Sequence, residues 1–152
     1  MLLFPAGMAL HEVLHLAIWS ALGYQAVLQV TPWKLALADA KVFGVHAAAT
    51  VPPPLGLRVL NDLLGPALAA VPFLALWSQV RERPVRAALL ANALVLAFFA
   101  VLEPGYLLLE LGSHREADVL LSPEVNYGAV AAILLAVAAA GGLRRGVRPG
   151  TA

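Results

Sequence analysis

Four long apolar segments alternate with short polar ones along the chain. They cover residues 2–23, 57–79, 87–111 and 124–143. Each is long enough to cross a hydrocarbon core of about 30 Å as a helix. We expect the third to be interrupted at Glu103-Pro104-Gly105, because proline lacks the N–H of a helix interior. The pattern predicts an all-α integral membrane protein with about four transmembrane helices, in one membrane-embedded domain over residues 1–152.

Residues 24–51 follow a different pattern. β-Branched and aromatic residues alternate with polar ones, which predicts short strands with turns near Pro32 and Asp39. We interpret this stretch as a small sheet or re-entrant segment at one membrane face, after a first helix that ends near Gly23. The prolines at 52–54 cannot lie inside a helix and form a rigid spacer.

Composition agrees with a membrane protein. Hydrophobic residues make up 61% of the 152 residues and charged residues only 12%, whereas soluble domains carry about 25% charge. There is no cysteine, which excludes disulfides and thiolate metal sites. No basic patch with interleaved aromatics is present, so we expect no nucleic-acid partner.

The basic residues predict the orientation of the chain. Cytoplasmic loops of membrane proteins carry an excess of Lys and Arg. Six basic residues fall on one side of the predicted helices and four on the other: Arg81, Arg83, Arg86, Arg144, Arg145 and Arg148 against Lys34, Lys41, Arg58 and Arg115. This bias places both termini in the cytoplasm, and the Ala-, Leu-, Pro- and Arg-rich composition suggests a bacterial inner membrane.

The first apolar segment contains His11-Glu12-x-x-His15. Residues i and i+4 of a helix lie on one face, so both imidazoles can bind one Zn²⁺ from the same side, and Glu12 can reach a metal-bound water. From Leu2 to Leu22, only these three residues and Ser20 are charged or strongly polar. Ionisable groups are costly in such a setting and are usually functional.

A catalytic zinc site needs a third protein ligand and an open position. Asp118 is our preferred candidate, because it follows a polar turn and precedes the apolar Val119-Leu120-Leu121. Asp62 is an alternative ligand, or an acceptor for a histidine N–H. We give Glu103 no role and interpret it as a buried, protonated carboxyl or a partner of the kink. The other candidates are Glu116, His114, Glu110 and His46.

These features resemble the site-2 protease class of intramembrane zinc metalloproteases, and most of all the small zincin peptidases related to it. The likeness lies in the His-Glu-x-x-His of the first helix with the Gly and strand-like segment after it, in Gly65-Pro66-Ala67-Leu68-Ala69-Ala70, and in the polar turn from Ser113 to Asp118. The class often has Asn where Ala70 stands. The resemblance implies that His11, His15 and Asp118 bind zinc and that Glu12 is the catalytic base.

We therefore expect a zinc metallopeptidase that hydrolyses peptide bonds of membrane-spanning proteins or peptides. Two alternatives stay open. A metal-binding transporter or sensor would use the same histidines and tolerate Glu12→Gln. A structural or partner-binding membrane protein would bind no metal. The sequence does not fix the oligomeric state.

Overall fold

The computed structural model describes residues 3–35, 40–112 and 122–146. Within them the chain is mostly helical, with a two-stranded sheet after the first helix. The elements in chain order are α1 (Leu3–Ala21), β1 (Ala26–Leu35), β2 (Ala40–Ala49), α2 (Leu55–Gln79), α3 (Arg83–Glu110) and α4 (Pro123–Gly146). Two of these helices, α2 and α3, are long and apolar enough to cross a membrane.

Helix α1 ends at a glycine, as predicted. Gly23 adopts a φ of +82°, the left-handed region that favours glycine. The N–H of Tyr24 donates to the carbonyl of Trp19 at 2.9 Å, which satisfies an end carbonyl of the helix. The chain is thereby turned out of α1 and into β1.

Helices α2 and α3 form the core of the protein. They are joined by only three residues, 80–82, and pack against each other through small and large apolar side chains. Alanines let the two backbones approach closely, which is the usual basis of helix packing in lipid. The buried cluster comprises Ala69, Ala70, Phe73, Leu89, Ala93 and Leu96. Helix α1 lies against α2 and α3, and α4 lies against α3.

The predicted interruption of the third helix is wrong. Helix α3 runs from Arg83 to Glu110 with Pro104 inside it. Pro104 removes one backbone hydrogen bond, but Ala100 and Leu107 on either side of it are buried in the packed interior. Tertiary packing therefore holds the helix through the proline.

The predicted turn near Pro32 is also wrong, because Pro32 lies within β1 opposite Phe43 of β2. The N–H of Thr50 donates to the carbonyl of Gln25 at 2.8 Å, which makes these two residues a hydrogen-bonded pair. In an antiparallel ladder every second pair from there onward exchanges backbone N–H···O=C bonds, which we call ladder bonds. Pro32 falls in a pair that exchanges none. The nitrogen of Pro32 faces the outer edge of β1, so the absence of an N–H there removes no ladder bond. The predicted turn near Asp39 lies outside the described residues.

The same register decides where the backbone of Ala47 points. Ala47 lies opposite Leu28, again in a pair without ladder bonds. Its N–H and carbonyl therefore point away from β1, toward the outer edge of β2. That edge lies beside α1, so the hairpin brings one outward N–H to the helix that carries the histidines.

Candidate metal centre

Helix α1 turns both histidines of the motif into the protein interior. His11 and His15 are one turn apart, and their residues are only 1% and 5% exposed. Their Nε2 atoms face each other at 2.7 Å, and the ring centroids are 4.5 Å apart. The predicted arrangement of two imidazoles on one helix face is confirmed.

Glu103 of α3 completes a three-residue group with the histidines. Its carboxylate oxygens lie 3.3 Å from Nε2 of His11 and 3.3 Å from Nε2 of His15. One possible ligand atom from each residue can be chosen so that all three lie within 4.8 Å of one another. The contact between His11 and Glu103 joins residues that are 92 positions apart in the chain.

This group could hold a metal ion. Zinc binds nitrogen and carboxylate oxygen at about 2.0–2.2 Å, which puts tetrahedral ligand atoms about 3.3 Å apart. The separations of 3.3 Å between Glu103 and the histidines match that spacing, whereas the two Nε2 atoms, 2.7 Å apart, would have to move slightly apart to bind one ion. Two imidazoles and one carboxylate are also the ligand set of many catalytic zinc sites, which keep a fourth position open.

Helix α2 holds His15 from the side opposite Glu103. The indole N–H of Trp19 can only donate, so the amide of Asn61 is assigned with its oxygen toward Trp19 at 3.1 Å. In this orientation the same oxygen accepts from Nδ1 of His15 at 2.8 Å, and the amide nitrogen donates to the His15 carbonyl at 3.2 Å. One turn further along, a Cβ on Gly65 would lie 2.5–2.7 Å from the His15 ring. Only glycine leaves room for the imidazole there.

His11 is held less completely. Its Nδ1 is buried and has no hydrogen-bond partner among the described residues. The nearest charged atom is Oε1 of Glu12 at 3.8 Å, beyond hydrogen-bond distance. The ring of Phe99, one turn before Glu103, lies tilted beside His11 with centroids 5.9 Å apart.

Glu12 faces the hairpin. Its Oε2 accepts the outward N–H of Ala47 at 2.7 Å, and its side chain is only 12% exposed. The carboxylate therefore lies between the histidine cluster and the outer edge of β2. Its only described hydrogen bond joins α1 to the hairpin.

The other candidate ligands lie in different places. Asp118, Glu116 and His114 fall outside the described residues, so the choice of Asp118 stays a prediction. His46 is exposed on β2, and Glu110 is the last residue of α3. Asp62 is half-buried on α2 and interacts electrostatically with His15 and Glu103.

Sequence reasoning considered Glu103 and then gave it no role. The signal was present, since Glu103 is the only charged residue between Arg86 and Glu110. The cost of a lone ionisable group in an apolar helix, which singled out His11 and His15, applies equally here. The proline beside it suggested a kink, and for that reason Glu103 is not among the predicted ligands.

Comparison with known proteins gives no match among family models, curated proteins or solved structures. A function must therefore be inferred from the residues of the site.

Proposed function

We propose that this protein is an intramembrane zinc metallopeptidase in which His11, His15 and Glu103 hold the metal. The observation that carries the proposal is the convergence of two buried imidazoles and a half-buried carboxylate, whose possible ligand atoms lie within 4.8 Å of one another. Bringing three such groups together in an apolar setting is expensive unless a metal or a reaction uses them. Bound zinc would supply a water of lowered pKa and a positive charge for the oxyanion of peptide hydrolysis.

Glu12 is the base of the proposed reaction. Its carboxylate would accept a proton from water as the water oxygen bonds to the scissile carbonyl carbon. It would then deliver that proton to the amide nitrogen as the C–N bond breaks. The low exposure of the Glu12 side chain limits competing solvent, and its position one residue after His11 keeps it beside the ligands.

The proposed setting is a bilayer crossed by four helices, with both termini in the cytoplasm of a bacterial cell. Large apolar side chains point outward along α2 and α3, as expected of lipid-facing surfaces. The exposed ones are Leu55, Leu60, Leu63, Leu68, Val71, Leu74, Leu76, Val85, Leu94, Val101 and Leu108. The outward face of α1 is likewise apolar, with Val13 54% exposed.

The proposed substrate is a membrane-spanning protein or peptide that has unwound locally, because carbonyls inside a helix are hydrogen-bonded. An extended backbone could pair with the outer edge of β2. At Ala47 it would compete with Glu12 for the same N–H. Binding of substrate there would free the Glu12 carboxylate for proton transfer.

Zinc content of the purified, detergent-solubilised chain tests the ligand set. We expect about one zinc per wild-type chain, lost in His11→Ala and Glu103→Ala and kept in Glu12→Gln. Asp118→Ala is the matched control. If Asp118→Ala loses zinc while Glu103→Ala keeps it, Asp118 is the third ligand and the site proposed here is wrong. Wild-type protein that binds no zinc after reconstitution contradicts the metallopeptidase altogether.

A second candidate is a metal-binding transporter or sensor without proteolysis. The contact of Glu12 with Ala47 favours it, because a carboxylate committed to the hairpin would serve structure instead of proton transfer. This candidate predicts that Glu12→Gln is tolerated. It also gains support if both Glu103→Ala and Asp118→Ala lose zinc, since four protein ligands would close the site.

A further inference from the structure

Trp19 and Asn61 form a buried chain of hydrogen bonds that ends on a metal-ligand candidate. Trp19 is 4% exposed and Asn61 1% exposed, so water does not compete for these groups. The chain runs from the indole N–H of Trp19 to the amide oxygen of Asn61, and from that oxygen to Nδ1 of His15. Neither residue touches His11 or Glu103 through a described hydrogen bond.

The indole decides the direction of every bond in this chain. Trp Nε1 can only donate, so the Asn61 group that faces it must be the amide oxygen. The same oxygen faces Nδ1 of His15 at 2.8 Å, and an oxygen acceptor requires that Nδ1 carry the proton. The lone pair of neutral His15 is thereby assigned to Nε2, the atom that faces Glu103 and His11.

We propose that Asn61 and Trp19 are positioning residues that hold His15 as the Nδ1–H tautomer, with Nε2 ready to bind zinc. The proposal rests on the metal site described above and adds the groups that orient one of its ligands. Acceptors that hold the second nitrogen of a ligating histidine usually contribute 10–100-fold to metal affinity or activity. Gly65 assists by leaving space for the ring in this orientation.

The two histidines differ sharply in this respect. His15 has Asn61 and Trp19 behind it, whereas Nδ1 of His11 has no hydrogen-bond partner among the described residues. The tautomer of His15 is therefore set before metal arrives. His15 is the preorganised ligand of the pair.

Zinc affinity, measured by competition with a chelating dye, tests the role of Asn61. We expect Asn61→Ala to weaken zinc binding about 10–100-fold. Asn61→Asp should keep wild-type affinity or exceed it, because a carboxylate oxygen can accept both N–H groups. Asn92→Ala is the matched control, since Asn92 is also buried at 5% exposure but bonds only the carbonyl of Ala88 in the described structure. It should bind zinc like the wild type.

The role of Trp19 is tested by Trp19→Phe, which removes the donor that orients the amide and keeps an aromatic ring. We expect a smaller loss of zinc affinity, about threefold, because Asn61 can still accept from His15. Trp77→Phe is the control, since Trp77 packs against the guanidinium of Arg86 and lies away from the chain of hydrogen bonds. It should leave zinc affinity unchanged.

The protonation of His15 can also be measured in the wild-type chain, so this test does not depend on whether a variant folds. In ¹⁵N-histidine NMR spectra, His15 should carry its proton on Nδ1 without metal and keep it there when zinc is added. A neutral His15 that carries its proton on Nε2 in the metal-free chain overturns the proposal. So does Asn61→Asp that binds zinc as weakly as Asn61→Ala. A wild-type chain that shows the Nδ1–H tautomer but binds no zinc would contradict the proposed metal site and leave the positioning contact standing.

Discussion

The two sides of the histidine cluster are held in opposite ways. On the α2 side, the buried amide of Asn61 makes two hydrogen bonds with His15 and one with Trp19, and Gly65 leaves space for the His15 ring. On the β2 side, Glu12 meets a hairpin through one hydrogen bond to Ala47. The buried core cluster includes Ala69, Ala70 and Phe73 of α2 but none of the described side chains of the hairpin. We infer that the α2 side fixes a ligand and that the β2 side leaves the proposed base free to move.

The largest expected effect separates chemistry from binding. Glu12→Gln keeps the size of the side chain and an oxygen that can accept the Ala47 N–H, but it cannot take up a proton from water. We expect hydrolysis of a synthetic transmembrane peptide to fall about 10²–10⁴-fold, while zinc content stays at the wild-type value. Unchanged hydrolysis would assign Glu12 to the hairpin contact alone.

Gly65→Ala should disrupt the contact between α2 and the His15 ring. The new Cβ would lie 2.5–2.7 Å from atoms of the His15 ring, so the imidazole must move away from Asn61. We expect zinc affinity to fall about 100-fold or more, through loss of the oriented ligand. Gly56→Ala on the same helix meets nothing within 4 Å and is the control. Equal zinc affinity in the two variants would mean that His15 needs no such fit.

Glu103→Gln tests what the contact from α3 contributes to zinc binding. The amide oxygen can still coordinate, but the negative charge that offsets the metal is lost. We expect zinc affinity to fall about tenfold to a hundredfold, measured by competition with a chelating dye. Glu110→Gln at the end of the same helix is the control and should bind zinc normally. A Glu103→Gln affinity equal to that control would remove Glu103 from the site.

The smallest effect is expected on the β2 side. Ala47→Pro removes the N–H that Glu12 accepts, and because that N–H points away from β1, the ladder stays intact. We expect a loss of about 1 kcal/mol in stability, the worth of one hydrogen bond, with zinc affinity unchanged. His46→Pro is the contrast, since His46 lies in a pair that exchanges ladder bonds with Gln29. Thermal unfolding should show the larger loss in His46→Pro.

Local sequence pattern predicted most of the helices and the pairing of the two candidate histidine ligands. The apolar segments 2–23, 57–79 and 124–143 correspond to α1, α2 and α4 within a few residues. Alternation in 24–51 predicted the strand character of the hairpin. His11 and His15 meet because the spacing of four residues places them on one helix face, which no distant part of the chain needs to arrange.

Predictions from local sequence pattern were wrong where tertiary packing or strand register overrides local preference. Pro104 predicted an interruption of the third helix, yet α3 continues through it because its neighbours are buried. Pro32 predicted a turn, yet the strand register places its nitrogen at the outer edge of β1, where no ladder bond is needed. A proline has the same local cost in both settings, and only its surroundings decide whether that cost ends the element.

The sequence by itself determined that two histidines and a glutamate lie on one turn of an apolar helix. The tertiary structure decided which groups meet them: Glu103 across 92 residues, Asn61 across 46 and Ala47 across 35. Spacing along one helix is set by backbone geometry, so a sequence reveals it directly. Contacts between elements depend on which faces pack together and on strand register, which many residues decide jointly. For that reason the histidine pair could be predicted from the sequence, and the groups that contact it from other elements could not.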